Sequence, residues 1–267
     1  MKDSVERLLS HRHAFFSKEG EDGVLAYILS RMPDRTGWCV EFGAWDGISE
    51  SNTHYLVSQQ AYRGVMIEAD PLKYNRLCEN MRRYGTICIN AFVRPEGENR
   101  LDNILSHTTI PEQFDLLSID VDGEDYHVWR SLENYQPKVV IIEINIHDKP
   151  GVKRIHKPGS PIFQGNAGAR NLSTIGIYGY SGTSITSMTE LATRKGYSLL
   201  ANVHCNAIYV KSEYLDLFHD REVAPEEVFT YENYGILELS IGEMKHLGWK
   251  RVVAKNHFFQ RALCLAK

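Results

Sequence analysis

Several features that define broad protein classes are missing from this sequence. No uninterrupted apolar run approaches the roughly 20 residues that a membrane-spanning helix requires, and the first 16 residues mix charged and apolar side chains, unlike a signal peptide. A basic excess is also missing, because 30 basic and 34 acidic residues give a formal charge of −4. Proteins that bind nucleic acid backbones usually carry such an excess. We therefore expect neither a membrane nor a nucleic acid as a partner.

Cysteine is scarce, and its spacing argues against the common zinc motifs. The five cysteines lie at positions 39, 78, 88, 205 and 264, with no C-x-x-C pair. An odd number of cysteines without regular spacing is typical of reduced thiols, which persist in a cytosol-like compartment. We expect a cytoplasmic protein with no structural zinc site of the usual kind.

The sequence does have the composition of a folded globular protein. Hydrophobic residues make up 43% and charged residues 24%, close to the average for soluble domains. At roughly 150 residues per domain, 267 residues permit one large domain or two small ones. The linking segments before residue 148 are too short for a second domain, so we expect a single domain over residues 1–267.

Short apolar runs alternate with helical patterns in the first half of the chain. The predicted strands are 38–43, 64–68, 86–92, 114–120 and 138–144. The predicted helices are 19–32, 51–60 with Ser51 as N-cap, 71–84 and 124–134. This alternation is typical of a parallel sheet with helices on both faces.

The second half begins with a change of composition at residues 149–183, which are rich in Gly, Ser and Pro and show no helical or strand periodicity. Such an insertion is either a lid or acceptor-binding segment, or disordered. A helix at 184–195 and strands at 197–203 and 206–210 follow, and residues 220–267 read as a C-terminal helical extension. The expected fold is α/β, with a doubly wound, mainly parallel, seven-stranded Rossmann-like sheet that ends in an antiparallel hairpin.

The string EFGAWDG at 41–47 is the most informative motif. Its strand delivers Glu41 and Gly43 to the carboxyl edge of the sheet, where open α/β sheets bind ligands. The next strand ends in Glu68, and an acidic residue there can accept hydrogen bonds from ribose hydroxyls. The phosphate-binding patterns G-x-G-x-x-G and G-x-x-x-x-G-K-[ST] are both missing. Ribose-binding chemistry without a diphosphate cradle points to a nucleoside cofactor, of which S-adenosylmethionine is the obvious candidate.

Together, EFGAWDG, SNT at 51–53, IEAD at 67–70 and IDVDGED at 119–125 resemble FkbM-type class I S-adenosylmethionine-dependent methyltransferases. The most specific match is D-V-[DE]-G-x-[DE], and the resemblance covers about residues 17–146. Carried over, it implies that the cofactor-binding residues are Glu41, Gly43, Asp46, Glu68, Ala69, Ala91 and Asp120. Glu41 and Gly43 would face the methionine end, Glu68 the ribose, and Asp120 the amino group or sulfonium.

The resemblance also implies a hydroxyl acceptor, whose proton must be removed by a base or by a metal that lowers its pKa. His147 follows the fifth strand and has a pKa suited to a base near neutrality. Asp122 and Asp125 are the carboxylate candidates. Alternatively, Asp122, Glu143 and Asn145 offer oxygen ligands that suit Mg²⁺. Neither mechanism is singled out by the spacing.

The leading hypothesis is an O-methyltransferase acting on a sugar, a nucleotide-linked sugar or a related small metabolite. The basic residues between 149 and 157 could meet an acceptor phosphate, and Trp45 could stack on a flat acceptor; a solvated face and simple packing are the alternatives. Two other functions stay open, namely an NAD-dependent oxidoreductase and a non-catalytic nucleoside-binding module. A homo-oligomer is compatible with the sequence.

Overall fold

The computed structural model describes residues 2–121, 123–146, 148–157 and 182–229. The strands are β1 (Trp38–Phe42), β2 (Arg63–Glu68), β3 (Ile87–Asn90), β4 (Leu116–Ile119), β5 (Val139–Glu143), β6 (Tyr197–Val203) and β7 (Asn206–Lys211). The helices are α1 (Lys2–Leu9), α2 (Glu21–Arg31), α3 (His54–Gln59), α4 (Pro71–Met81), α5 (Leu101–Ser106), α6 (Asp125–Ser131), α7 (Ile185–Arg194) and α8 (Pro225–Val228). Within these ranges, no helix is both long and apolar enough to cross a bilayer.

All seven strands form one sheet in the order β3-β2-β1-β4-β5-β7-β6. The strands from β3 to β5 pair in parallel, whereas β7 runs antiparallel to both β5 and β6. The predicted seven-stranded sheet with a terminal antiparallel hairpin is therefore confirmed. The hairpin places β7 inside the sheet and leaves β6 at its edge.

Helices cover the sheet on both faces, which explains why its central strands read as continuous apolar runs. Every residue of β1 and of β4 is buried. One face packs through Phe42 and Val140 against α5, α6 and α7. The other packs through Met66 and Ile141 against α2, α3 and α4. Strands that are buried on both faces lose the apolar–polar alternation of a half-exposed strand.

The helix α4 begins at its predicted residue and has a side-chain cap. Pro71 is the first helical residue, and Asp70 Oδ1 accepts hydrogen bonds from Leu72 N (2.8 Å) and Lys73 N (3.1 Å). A carboxylate at the N-cap satisfies backbone N–H groups that lack a partner within the helix. The helix ends at Met81, and residues 82–84 form a 3₁₀ turn instead of continuing it.

The predicted helix over 51–60 is wrong at its start, because α3 begins at His54. Ser51 is not the N-cap, a position that Thr53 occupies. The Ser51 hydroxyl instead donates to Glu41 Oε2 (2.6 Å) while accepting from His54 N (3.0 Å). A contact with the end of β1 therefore keeps residues 51–53 out of the helix.

The predicted helix over 124–134 is too long at its end. The helix α6 stops at Ser131, because the Asp102 carboxylate accepts from Glu133 N (3.0 Å) and Asn134 N (2.8 Å) and holds that segment in another conformation. Asp102 lies on α5, a six-residue helix that the sequence pattern did not reveal.

The predicted insertion at 149–183 is described at its two ends. His156 N donates to Thr183 Oγ1 (3.3 Å) and Arg154 N donates to Ser184 Oγ (3.1 Å), so the ends lie side by side. Residues 158–181 and 230–267, which make up most of the predicted insertion and of the predicted C-terminal extension, lie outside the described residues. The single domain, the lid and the extension therefore stay predictions.

Candidate functional site

The ends of β1 and β4 approach closely at the carboxyl edge of the sheet. Gly43, directly after β1, has φ 74°, and a methyl group at its Cα would lie 2.0 Å from the carbonyl oxygen of Asp120. Only glycine fits this position. The chain leaves β1 toward β2 on one side, while β4 lies on the other. This is the switch point where open α/β sheets bind ligands.

A crevice of about 110 Å³ lies at this switch point, lined by residues 41–45, residues 49–52 and Asp120. A larger cavity of about 560 Å³ lies before the start of β1, lined by Met32, residues 34–37, Gln60 and Tyr62. That cavity is at the amino end of the strand, where ligands of this sheet type do not bind. We therefore place the candidate site at the smaller crevice.

Glu41 organises one wall of the crevice. Its buried carboxyl accepts from Ser51 Oγ (2.6 Å), Thr53 Oγ1 (2.7 Å) and Asn52 N (2.8 Å). Burial raises the pKa of Glu41, and these donors only partly oppose that effect. Glu41 thus lines the crevice and also ties residues 51–53 to β1.

Glu68 joins two loops at the end of β2. Its Oε2 accepts from Trp45 N and its Oε1 from Asp70 N, both at 2.8 Å. A carboxylate oxygen has two lone pairs, so each can still accept a hydroxyl donor. Ala91 N donates to Glu68 O (3.2 Å). Asn90 Nδ2 donates to the carbonyl oxygens of both Glu68 and Ala69. The structure therefore brings three of the predicted cofactor residues, Glu68, Ala69 and Ala91, together.

Asp46 has a different place from the other cofactor candidates. It is outside the crevice lining, and its Oδ1 accepts from Ser49 N (2.7 Å) and Ile48 N (2.9 Å). Burial raises the pKa of Asp46, but these hydrogen bonds outweigh it and leave the pKa below its ordinary value. The ionised carboxylate holds the loop whose later residues line the crevice.

Carboxylates also gather around the β5–β7 side of this edge. Burial raises the pKa of the Cys205 thiol, and the nearby Glu143, Asp120 and Glu21 carboxylates raise it further. Glu21 Oε1 accepts from Asn206 Nδ2 (2.9 Å). Glu21 is buried on this side of the edge and was not among the predicted site residues. In the sequence, Glu21 is one of the acidic residues in the first turn of a predicted helix. Acidic residues are favoured there by the helix dipole alone, so the pattern does not indicate a further role.

The predicted catalytic residues are only partly described. Asp125 Oδ1 accepts from Val121 N (2.9 Å) and Oδ2 from Gly123 N (2.8 Å), so this buried carboxylate holds the turn after β4. Asp122 and His147 lie outside the described residues. Their roles stay predictions.

The predicted metal ligands are likewise tested only in part. Glu143 lies opposite Asn206 in the β5–β7 register, and Asn145 N donates to Thr183 O (2.9 Å). In the part of the chain that the structure describes, no three His, Cys, Asp or Glu side chains are grouped to hold a metal. Asp122, the third predicted ligand, is outside that part, so a metal stays a prediction.

No family model and no curated protein matches the chain. Among solved structures, it is similar to a methyltransferase from Podospora anserina bound to S-adenosylhomocysteine, at 14% identity and TM-score 0.44, over 78% of this chain and 86% of that one. It is also similar to the N-methyltransferase NodS from Bradyrhizobium japonicum, at 17% identity and TM-score 0.40, over 71% of this chain and 93% of that one. An O-methyltransferase from Bacillus cereus matches at 18% identity and TM-score 0.36, over 54% of this chain and 66% of that one. At this level of similarity, the relatives identify neither an acceptor nor the residues that bind it.

Proposed function

We propose that this protein is an S-adenosylmethionine-dependent methyltransferase. The observation that carries the proposal is the placement of Gly43 against Asp120, with Glu68 at the end of the neighbouring strand. The missing side chain at Gly43 lets the ends of β1 and β4 approach each other, and this brings Asp120 to the wall of the crevice. Glu68 would accept hydrogen bonds from the ribose hydroxyls, and Asp120 would face the amino group of the cofactor. The crevice is smaller than the roughly 300–1,000 Å³ of enclosing ligand sites, so a nucleoside would extend along the edge from β4 toward β3.

The charges at this edge support a cationic cofactor. Glu68 and Asp120 lie at the ends of β2 and β4, and Glu143 and Glu21 lie farther along the same edge. S-adenosylmethionine supplies a methyl group on a positively charged sulfonium. Carboxylates near that position stabilise the charge and orient the donor, and positioning contributes much of the rate of a methyl transfer.

The loop after β1 argues against a dinucleotide. In dinucleotide-binding sheets, free N–H groups at the start of a helix cradle the diphosphate. Here α3 begins only at His54, and the loop N–H groups donate to carboxylates instead. These donors are Trp45 N to Glu68, Ile48 N and Ser49 N to Asp46, and Asn52 N to Glu41. A diphosphate would meet negative charge, so the NAD-dependent alternative is disfavoured.

For the acceptor, we propose a hydroxyl of a sugar or nucleotide-linked sugar. The support is the FkbM-type resemblance of residues 41–53, 67–70 and 119–125. The basic residues that suggested a phosphate contact are partly engaged, because Arg154 Nε lies 2.6 Å from Asp148 Oδ2 and Lys153 Nζ pairs with Glu190. Those pairings favour an uncharged sugar over a nucleotide-linked one.

Calorimetric titration with S-adenosylhomocysteine tests the cofactor. We expect the wild-type protein to bind it and Glu68→Ala to weaken binding by about 1.5–3 kcal/mol, roughly 10- to 150-fold, because two hydrogen bonds to a charged group are lost. Glu79→Ala, which removes an exposed carboxylate on α4, is the matched control and should bind like the wild type. NAD should give no heat.

Wild-type affinity in a folded Glu68→Ala protein would contradict the ribose assignment. Failure of the wild-type protein to bind S-adenosylhomocysteine, together with binding of NAD, would replace the methyltransferase proposal by the oxidoreductase alternative.

A further inference from the structure

Trp45 has a backbone conformation that is unusual for a large side chain. Its φ is 47°, in the left-handed region, within a loop where Gly43 and Gly47 both have φ 74°. Glycine adopts such angles freely, whereas a bulky side chain does so only under strain. A strained conformation persists where contacts with the surrounding structure hold it in place, and such residues are often found at binding sites.

Hydrogen bonds on both sides hold the backbone of Trp45 in place. Its N–H donates to Glu68 Oε2 (2.8 Å). The preceding residue, Ala44, donates from N to Ile67 O (3.1 Å) and accepts at O from Gly47 N (2.8 Å). The left-handed angle is therefore fixed by the same carboxylate that we assign to the ribose.

Packing in the protein core does not account for this tryptophan. Trp45 is 39% exposed and lines the crevice, whereas Trp38 and Trp129 are 7% and 0% exposed. The Lys73 ammonium lies 6.0 Å from the centre of its ring. The strained backbone thus presents a broad aromatic face at the mouth of the crevice.

We infer that the Trp45 indole forms one wall of the nucleoside subsite. This inference rests on the proposed function. Because Trp45 N and the ribose hydroxyls would share the Glu68 carboxylate, a nucleoside bound there lies within contact range of the indole. Aromatic rings stack favourably on the flat faces of nucleosides, and a glycine at this position would leave that side of the subsite open.

The test compares Trp45→Gly and Trp45→Phe by calorimetric titration with S-adenosylhomocysteine and with adenosine. We expect Trp45→Gly to weaken both ligands roughly 5- to 150-fold, the range for loss of one stacking side chain. Trp45→Phe keeps a ring and should stay within about threefold of the wild type, by the same argument. The melting temperature of Trp45→Gly should change little, because relief of the left-handed strain offsets the greater freedom of the unfolded chain.

Asp34→Gly is the matched control. Asp34 is also a left-handed residue, with φ 48°, but lies beside the cavity at the opposite end of β1. It undergoes the same backbone change, and its ligand affinities should equal those of the wild type.

The outcomes separate the two proposals. Unchanged affinity of Trp45→Gly, or a loss for S-adenosylhomocysteine without a matching loss for adenosine, overturns the nucleoside wall while the methyltransferase proposal stands. If the wild-type protein does not bind S-adenosylhomocysteine, the methyltransferase proposal itself is rejected, and the role of Trp45 in the nucleoside subsite is rejected with it.

Discussion

Glu41→Ala is expected to lower the free energy of unfolding by about 3 kcal/mol and to disrupt the crevice. The substitution leaves the Ser51 and Thr53 hydroxyls and the Asn52 N–H, all buried, without their acceptor. Each buried donor without a partner costs about 1 kcal/mol or more. Urea denaturation measures the change. Glu213→Ala, which removes a carboxylate that is 63% exposed and 4.0 Å from Lys211, is the control and should change stability by less than about 0.5 kcal/mol.

The pH dependence of the free energy of unfolding, compared between the wild type and Glu41→Gln, tests the charge of Glu41. Its folded pKa is raised by burial above the ordinary value of 4.5, so the folded state binds the proton more tightly than the unfolded chain does. This contribution to stability is fully present below about pH 4.5 and is lost as pH rises through the folded pKa. Relative to Glu41→Gln, which cannot ionise, the wild type should therefore lose stability with rising pH. A constant difference between the two proteins would contradict the raised pKa.

The sheet was predictable because each of its strands is marked by a pattern of neighbouring residues in the sequence. Each central strand is a short apolar run bounded by turn residues, and the hairpin follows from two such runs that only His204 and Cys205 separate. Burial on both faces needs no long-range knowledge to recognise. The positions of Glu41, Gly43 and Glu68 at one edge then follow from the parallel arrangement alone.

The boundaries that failed depend on carboxylates distant in sequence. Glu41 reaches across to residues 51–53 and delays α3, and Asp102 accepts from Glu133 N and Asn134 N and ends α6. Hydrophobic periodicity does not report such contacts, because they are made by single polar side chains.

The contribution of the N-terminal segment was missed for a related reason. Residues 15–17 have no regular pattern, yet the Asp22 carboxylate accepts from Phe16 N (2.7 Å) and Ser17 N (3.1 Å) and fixes their path. Lys18 Nζ then lies 3.8 Å from Glu50, a residue that lines the crevice. An irregular segment organised by one buried acceptor gives no periodic signal in the sequence.

His147→Ala is expected to lower turnover about 100-fold or more if the imidazole removes the acceptor proton. The assay measures release of S-adenosylhomocysteine with whichever member of a panel of sugars and nucleotide sugars gives the highest rate. Cofactor affinity should not change, since this proposal assigns His147 to the acceptor. The pH profile of the variant should lose the limb near the imidazole pKa, about 6.5. His107→Ala, at an exposed position after α5, should leave turnover unchanged.

A metal mechanism gives the opposite pattern. EDTA would abolish activity, Mg²⁺ would restore it, and Asp122→Ala would have the same effect as the chelator. A histidine base is indifferent to chelation, so the two treatments separate the mechanisms. We favour the histidine, because the spacing of Asp122, Glu143 and Asn145 does not match a diagnostic ligand motif. Full activity both in His147→Ala and in the EDTA-treated enzyme would reject both mechanisms. The base would then be a carboxylate after β4, and Asp122 is the better candidate, because Asp125 is buried and its carboxylate holds the turn through hydrogen bonds from Val121 N and Gly123 N.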